Sequence, residues 1–179
     1  MQSKIAILLP YKDQFIKDNA GSASIWVKDF SKNSRHKKNT TVFGFTNNTN
    51  KIFNNFKYIN LKFSKIGIQS NNLQYVNKFI DVLKKKKFSI IEIHNRPSYI
   101  LHIEKYISKN KYVLVIHNNP QSLRGAVTPK DRKKLIKVCS KIIFVSSWVK
   151  EKFFEGLDIK NHEICQVVYP SINKISKLP

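Results

Sequence analysis

The chain is 179 residues long and 41% hydrophobic, a length and composition that fit one well-packed domain and exclude a disordered protein. No apolar stretch approaches the roughly 20 residues of a membrane-spanning helix, and no signal-peptide core follows Met1, so we expect a cytoplasmic protein. The net charge is +22, but only four of the 33 basic residues are arginine, on which nucleic-acid recognition relies, so the composition argues against a nucleic-acid partner.

Short apolar runs alternate with amphipathic segments along the chain. In chain order the pattern predicts strand 4–9, helix 23–35, strands 40–45 and 56–63, helix 73–83, strand 88–94, helix 97–108, strand 112–116, helix 129–139, strand 141–145, a helix capped by Ser146 and Ser147, and strand 163–169. This alternation predicts an α/β domain with a Rossmann-like, doubly wound, mostly parallel sheet of about seven strands and helices on both faces. Cys139 and Cys165 are isolated and are interpreted as buried thiols.

Two of the predicted strands end in the same unusual way. Each is a β-branched apolar run that stops at a His-Asn pair, His94-Asn95 in the first and His117-Asn118 in the second. The carboxyl ends of parallel strands lie at one edge of the sheet, where open α/β sheets bind their ligands. We therefore expect the two pairs to face one cleft. The alternative is that each histidine has only a structural role.

Further candidate residues lie in the loops of the same edge. Arg96 and Arg124 follow the two strands, where guanidinium groups suit an anionic ligand, and solvated surface charge is the alternative. Gly21 precedes the first predicted helix, where free backbone N–H groups could meet an anion, and tight packing is the alternative for this glycine. The first strand is followed by no dinucleotide-binding glycine motif or Walker loop, and no residue spacing indicates a metal site.

The order and spacing of these motifs resemble the amino-terminal half of a GT-B glycosyltransferase of the large retaining family four, in particular members that build lipopolysaccharide and other surface polysaccharides. The resemblance covers nearly the whole chain. Its segments are the opening strand with the loop 19–22, the two His-Asn strand ends, 142–149 and 167–173. The family's first loop usually has two adjacent glycines, and this chain departs from that pattern with Ala20-Gly21.

The resemblance implies one half of a GT-B fold, with residues 1–170 as the acceptor-side domain and 171–179 as the start of a linker to a carboxyl-terminal domain that this truncated chain lacks. It implies retaining, metal-independent transfer of a hexose to a glycan or lipid-linked acceptor. The nucleotide-sugar donor is a substrate, and no cofactor is expected. The chain alone would be inactive.

Site roles follow from the same resemblance together with the strand ends. His117 matches the histidine near the transferred sugar and is the candidate catalytic residue. The candidate donor-binding or acceptor-binding residues are Gly21, Ser22, His94, Asn95, Arg96, Asn118, Arg124 and Ser146.

Three other interpretations remain open. One is a non-catalytic module that binds carbohydrate or lipid headgroups. A second is a nucleotide-binding domain of another class, such as half of an epimerase, for which a glycine-rich motif after the first strand is expected and not found. The third concerns the lysines, which are either solvated charge or a surface for peripheral docking on the anionic inner face of the membrane.

Overall fold

The computed structural model describes residues 4–63 and 69–170. The strands are β1 (Ile5–Leu8), β2 (Thr40–Gly44), β3 (Lys57–Asn60), β4 (Ile90–His94), β5 (Lys111–Ile116), β6 (Lys141–Phe144) and β7 (Cys165–Val167). The α-helices are α1 (Ser22–Lys32), α2 (Asn71–Lys85), α3 (Pro97–Ile103), α4 (Pro129–Val138) and α5 (Ser147–Phe154). The predicted linker 171–179 lies outside the described residues.

All seven strands join one parallel sheet in the order β3-β2-β1-β4-β5-β6-β7. The chain starts in the middle of the sheet, builds outward to β3, and returns through α2 to build the other side from β4. The strand order therefore reverses between β1 and β4, the place where doubly wound sheets open a ligand crevice. The predicted doubly wound sheet of about seven strands is confirmed, and the sheet is parallel throughout.

The two faces of the sheet are covered unequally. Helix α1 packs on one face through Ala23, Trp26 and Val27, against residues such as Ile7 and Val115. The other four helices pack on the opposite face and form the larger core. The prediction of helices on both faces is confirmed. Of the helices in the described residues, α1 alone covers this face, so a pocket can open beside it.

Several helix starts follow directly from the sequence. Ser146 caps α5 by accepting a hydrogen bond from the backbone N–H of Val149, as predicted. Thr128 and Asp131 form a capping box around the start of α4. The helix predicted at 97–108 instead ends at Ile103, because the N–H of Tyr106 bonds to the Ile103 carbonyl three residues back, which tightens the chain into a turn.

The two cysteines are buried free thiols, in agreement with the sequence interpretation. Both side chains belong to the larger core, and each is 6% exposed. Burial raises the pKa of Cys139 to about 12 and that of Cys165 to about 11. Both thiols are therefore protonated at neutral pH, which removes the thiolate needed for nucleophilic or metal-binding chemistry.

Candidate functional site

A chain of hydrogen bonds runs along the α1 face of the sheet to its carboxyl-terminal edge. On β4, Glu92 and His94 are two residues apart and share one face, and Oε1 of Glu92 lies 2.8 Å from Nε2 of His94. The other ring nitrogen of His94, Nδ1, lies 3.0 Å from Nε2 of His117, which follows β5. The structure thus brings the two predicted strand-end histidines into direct contact.

Trp26 of α1 packs over both histidine rings. Its ring centroid lies 5.2 Å from that of His94 and 6.0 Å from that of His117. His94 is completely buried, whereas His117 is partly exposed. His94 therefore reaches a ligand only through His117, which is the member of the pair at the surface.

Asn95 holds the two strand ends together. Its φ of 52° lies in the left-handed region, which asparagine tolerates better than most residues. In this conformation its Oδ1 accepts long hydrogen bonds from the backbone N–H groups of His117 (3.4 Å) and Asn118 (3.3 Å). Asn95 is itself buried. It positions the loop that presents His117.

A pocket of about 340 Å³ opens between α1 and the ends of β5 and β6. His117 and Asn118 form one wall, and Ser22 and Trp26 of α1 form the other. The remaining lining residues are Ile25, Asp29, Phe30, Val145 and Pro170. An aromatic ring beside a few hydrogen-bonding groups is a typical composition for a small-molecule site. We call this space the histidine pocket.

The environment keeps His117 neutral. Burial, and secondarily the proximity of the His94 ring, lower the pKa of His117 to about 3. At neutral pH the imidazole therefore has one proton and one lone pair. Because Nε2 faces His94, Nδ1 is the nitrogen left for a ligand.

In the loop between β1 and α1, Gly21 contacts Asp13, whereas Ser22, the first residue of α1, lines the histidine pocket. The carboxylate of Asp13 accepts hydrogen bonds from the backbone N–H groups of Gly21 and Ala23, both at 3.1 Å. A Cβ atom on Gly21 would lie 2.6 Å from that carboxylate, so glycine is required for the approach. Asp13 thus occupies the position at the helix start where an external anion was expected.

The two predicted arginines lie outside the histidine pocket. Arg96 donates from Nη1 to the carbonyl of Asn95, and its charge lies beside the Tyr99 hydroxyl, where it opposes the rise in pKa that burial causes. Arg124 lines a separate pocket of about 250 Å³ between α2 and α3, together with Tyr99 and His102. The imidazoles at the ends of β4 and β5 therefore lie together on one face of the sheet. The arginine side chains of the following loops lie outside the histidine pocket.

Ser146 lies beside the histidine pocket, and three residues of the site were not predicted. Ser146 is engaged as the cap of α5, and its neighbour Val145 lines the histidine pocket. Asp13, Trp26 and Glu92 were not predicted as site residues. Of these, Glu92 could have been found, because a charged residue two positions before His94 in a buried strand must face the same way.

The opposite, amino-terminal edge of the sheet is lined with lysine. A groove of about 480 Å³ is bordered by six of them, Lys4, Lys38, Lys57, Lys85, Lys86 and Lys87. A neighbouring groove adds Lys109 and Lys111 beside Lys87 and Phe88. All eight lie at or near the starts of strands, so the parallel sheet gathers them on one side. We call this surface the lysine edge.

Within residues 4–63 and 69–170, no group of three or more His, Cys, Asp or Glu side chains is arranged to hold a metal ion. None of the helices in the described part of the chain is both long enough and apolar enough to cross a membrane.

Comparison with known proteins identifies the fold. No protein-family model and no curated protein matches the sequence. Among solved structures, Anabaena HepE in complex with UDP and glucose matches 96% of this chain and 45% of its own, with a TM-score of 0.64 and 17% identity. HepE in complex with UDP-glucose gives a TM-score of 0.66 at 14% identity, with the same coverage of both chains. The chain thus has the fold of one half of a GT-B structure and spans less than half the length of these proteins.

UDP-N-acetylglucosamine 2-epimerases share this fold as well. The enzyme from Rickettsia bellii matches 93% of this chain and 44% of its own, with a TM-score of 0.55 and 12% identity. This chain has that fold and has no glycine-rich motif after β1. At these identities the likeness establishes the fold alone.

Proposed function

We propose that this chain forms one wall of the cleft of a nucleotide-sugar-dependent hexosyltransferase. The observation that supports this most is the histidine pocket, which lies at the carboxyl-terminal edge of a half-GT-B fold and exposes His117, Asn118 and Ser22 beside an aromatic wall. The similar HepE structures contain UDP, glucose or UDP-glucose. A neutral imidazole, an amide and a hydroxyl are groups that hydrogen-bond sugar hydroxyls well.

In this proposal His117 contacts the transferred sugar and positions it, and Asn118 and Ser22 bind donor or acceptor hydroxyls. The reaction proceeds with retention and without metal, the acceptor is a glycan or lipid-linked sugar of a surface polysaccharide such as lipopolysaccharide, and a second domain supplies most of the donor contacts. Such a reaction depends mainly on positioning and charge stabilisation. The low pKa of His117 suits a hydrogen-bonding role, because the imidazole ring is uncharged at neutral pH.

Tryptophan fluorescence offers a direct binding test. The chain has two tryptophans, and Trp148 is 52% exposed, so a Trp148→Phe background leaves Trp26 as the reporter inside the pocket. We expect a saturable change on titration with UDP-glucose, and an affinity about tenfold lower in His117→Ala, as for the loss of one hydrogen bond to a buried partner. His102→Ala is the matched control, because His102 lines the separate Arg124 pocket. Equal binding by the two variants would contradict the proposal.

An epimerase half is the second candidate, supported by the fold shared with the 2-epimerases. Product analysis of a protein that includes the second domain separates the two chemistries, since this chain alone is expected to be inactive. A transferase given UDP-glucose and an acceptor releases UDP, whereas a 2-epimerase converts UDP-N-acetylglucosamine to its epimer and keeps the sugar–phosphate bond. Binding of free saccharide with neither product favours the non-catalytic module.

We further propose that the lysine edge docks the protein on an anionic membrane, placing it on the inner leaflet. Each lysine close to such a surface contributes about 1 kcal/mol, and eight lie on this edge. Docking by this edge leaves the histidine pocket on the far side of the sheet, open to soluble nucleotide sugar. The expected result is cosedimentation with phosphatidylcholine vesicles only when they also contain phosphatidylglycerol.

A matched pair of triple variants tests the location of that contact. Changing Lys85, Lys86 and Lys87 together to Gln removes three charges from the lysine edge. Changing Lys130, Lys134 and Lys137 to Gln removes three exposed charges from α4 instead. Only the first variant should lose vesicle binding. Equal loss in both would indicate net charge acting without a defined surface.

A further inference from the structure

The hydrogen-bond chain that ends at His117 restricts where its proton can be. Glu92, as a carboxylate, has no proton to donate, so the hydrogen bond at 2.8 Å requires a proton on Nε2 of His94. A neutral His94 ring then has a bare Nδ1. The 3.0 Å contact with His117 is a hydrogen bond in that case only if Nε2 of His117 has the proton and donates it.

His94 is enclosed by the protein between Glu92 and His117. Its ring is completely shielded from solvent and packs against Trp26. The Glu92 side chain is 18% exposed, so water reaches the carboxylate and the negative charge does not depend on His94 alone. When both rings are neutral, the carboxylate at one end of this hydrogen-bond chain sets the proton positions along it.

We propose that Glu92 is a positioning residue that acts through His94 to fix the tautomer of His117, so that Nδ1 of His117 faces the histidine pocket as a hydrogen-bond acceptor. Within the described residues, neither a side chain nor a backbone group bonds to this nitrogen, and His117 lines the pocket. The ligand group that fits an accepting nitrogen is a hydroxyl. An anionic oxygen, which needs a donor, is repelled at that point.

This assignment deepens the proposed function and rests on it for the identity of the ligand. In a nucleotide sugar, the hydroxyls belong to the sugar and the ribose, and the anionic oxygens to the diphosphate. An accepting Nδ1 therefore orients the sugar, or an acceptor hydroxyl, toward His117 and the diphosphate away from it. The orientation follows from the proton positions, without a charged residue in contact with the ligand.

Nitrogen-15 NMR of the histidine side chains tests the assignment directly. At slightly alkaline pH, the wild-type chain should show His117 with a protonated Nε2 and a bare Nδ1. Glu92→Gln should abolish this preference, because an amide presents either an acceptor oxygen or a donor NH₂ to His94 and so permits both proton arrangements. Glu163→Gln, on an exposed residue, removes the same charge and should leave His117 unchanged.

Two results would overturn the assignment. One is a protonated Nδ1 on His117 in the wild-type chain, which needs no variant and holds even if Glu92→Gln fails to fold. The other is an unchanged His117 spectrum in a folded Glu92→Gln chain. Affinity for UDP-glucose should fall about five- to tenfold in Glu92→Gln, as for one impaired hydrogen bond.

The spectroscopic and binding results separate this inference from the proposed function. A fixed tautomer in a protein that binds no sugar nucleotide would refute the function and leave the Glu92 assignment intact. Sugar-nucleotide binding together with a mixed tautomer would refute the assignment and leave the function intact.

Discussion

The two edges of the sheet differ in how their polar residues are held. At the carboxyl-terminal edge, Glu92, His94, Asn95 and His117 are hydrogen-bonded to one another and largely withdrawn from solvent. At the lysine edge, Lys85, Lys86 and Lys87 are exposed. The first arrangement fixes a few atoms in space, as recognition of a small ligand requires. The second provides a diffuse positive field, which suits an extended anionic surface.

This difference should appear as unequal sensitivity to substitution. Changes at the carboxyl-terminal edge remove partners from buried groups and should lower the free energy of unfolding. Changes at the lysine edge should leave that free energy nearly constant and alter only charge-dependent binding. Four sets of variants test the contrast, from the largest expected effect to the smallest.

Arg132 should have the largest effect, because it ties the loop after β5 to the carboxyl-terminal end of α5. The side chain is buried, and it donates to the carbonyls of Ala126, Val127 and Glu155. Arg132→Met leaves these carbonyls without their donor, so we expect a loss of about 3 kcal/mol or more in urea unfolding. Lys134→Met, on an exposed position of the same helix, should change stability by less than about 0.5 kcal/mol. A similar small loss for Arg132→Met would contradict the contrast.

Asn95 should have the next largest effect. Asn95→Ala removes the acceptor for the N–H groups of His117 and Asn118 and places alanine at a φ of 52°. We expect a loss of about 1–2 kcal/mol in the free energy of unfolding. Asn95→Gly separates the two causes, since glycine tolerates this φ and lacks only the acceptor. If both variants are as stable as the wild type, Asn95 does not hold the strand ends together.

Asp13 and Gly21 should show a smaller, coupled effect. Asp13→Ala removes the capping carboxylate of α1 and should cost about 1 kcal/mol in chemical denaturation. Gly21→Ala displaces the same carboxylate, because the new Cβ would lie 2.6 Å from it. The double variant should therefore be less destabilised than the sum of the single variants. Strict additivity would show that the two residues act separately.

The lysine edge should show the smallest effect on stability. The triple change of Lys85, Lys86 and Lys87 to Gln should shift the free energy of unfolding by less than about 0.5 kcal/mol, because these side chains are exposed. Circular dichroism of thermal unfolding measures this on the same samples used for vesicle binding. A large loss of stability would mean that the lysines have a structural role.

The sequence predicted the fold well because its information is local. Buried parallel strands are short β-branched runs, and residues such as Ser146 and Pro129 mark helix starts with specific chemistry. The doubly wound parallel sheet followed from the alternation of strands and helices, which admits few topologies. Element ends were less certain, as the early end of α3 at Ile103 shows.

The candidate site was predicted only in part, because its contacts are distant in sequence. The matching His-Asn strand ends indicated that His94 and His117 would face one cleft, and the structure adds their direct contact. Nothing in the sequence indicated that Asp13 would cover the start of α1, since that contact depends on the path of the loop between them. The separation of Arg96 and Arg124 from His117 likewise depends on loop conformations that no local pattern encodes.

A chemical-shift map of UDP-glucose binding tests the central claim most directly, because this ligand has hydroxyls for the histidine pocket and phosphates for the lysine edge. We expect saturable shifts at Ser22, Trp26, His117 and Asn118 that persist at high salt, since they arise from hydrogen bonds and packing. Shifts confined to Lys85, Lys86 and Lys87 and abolished by salt would contradict it, and would reduce the interaction to charge alone.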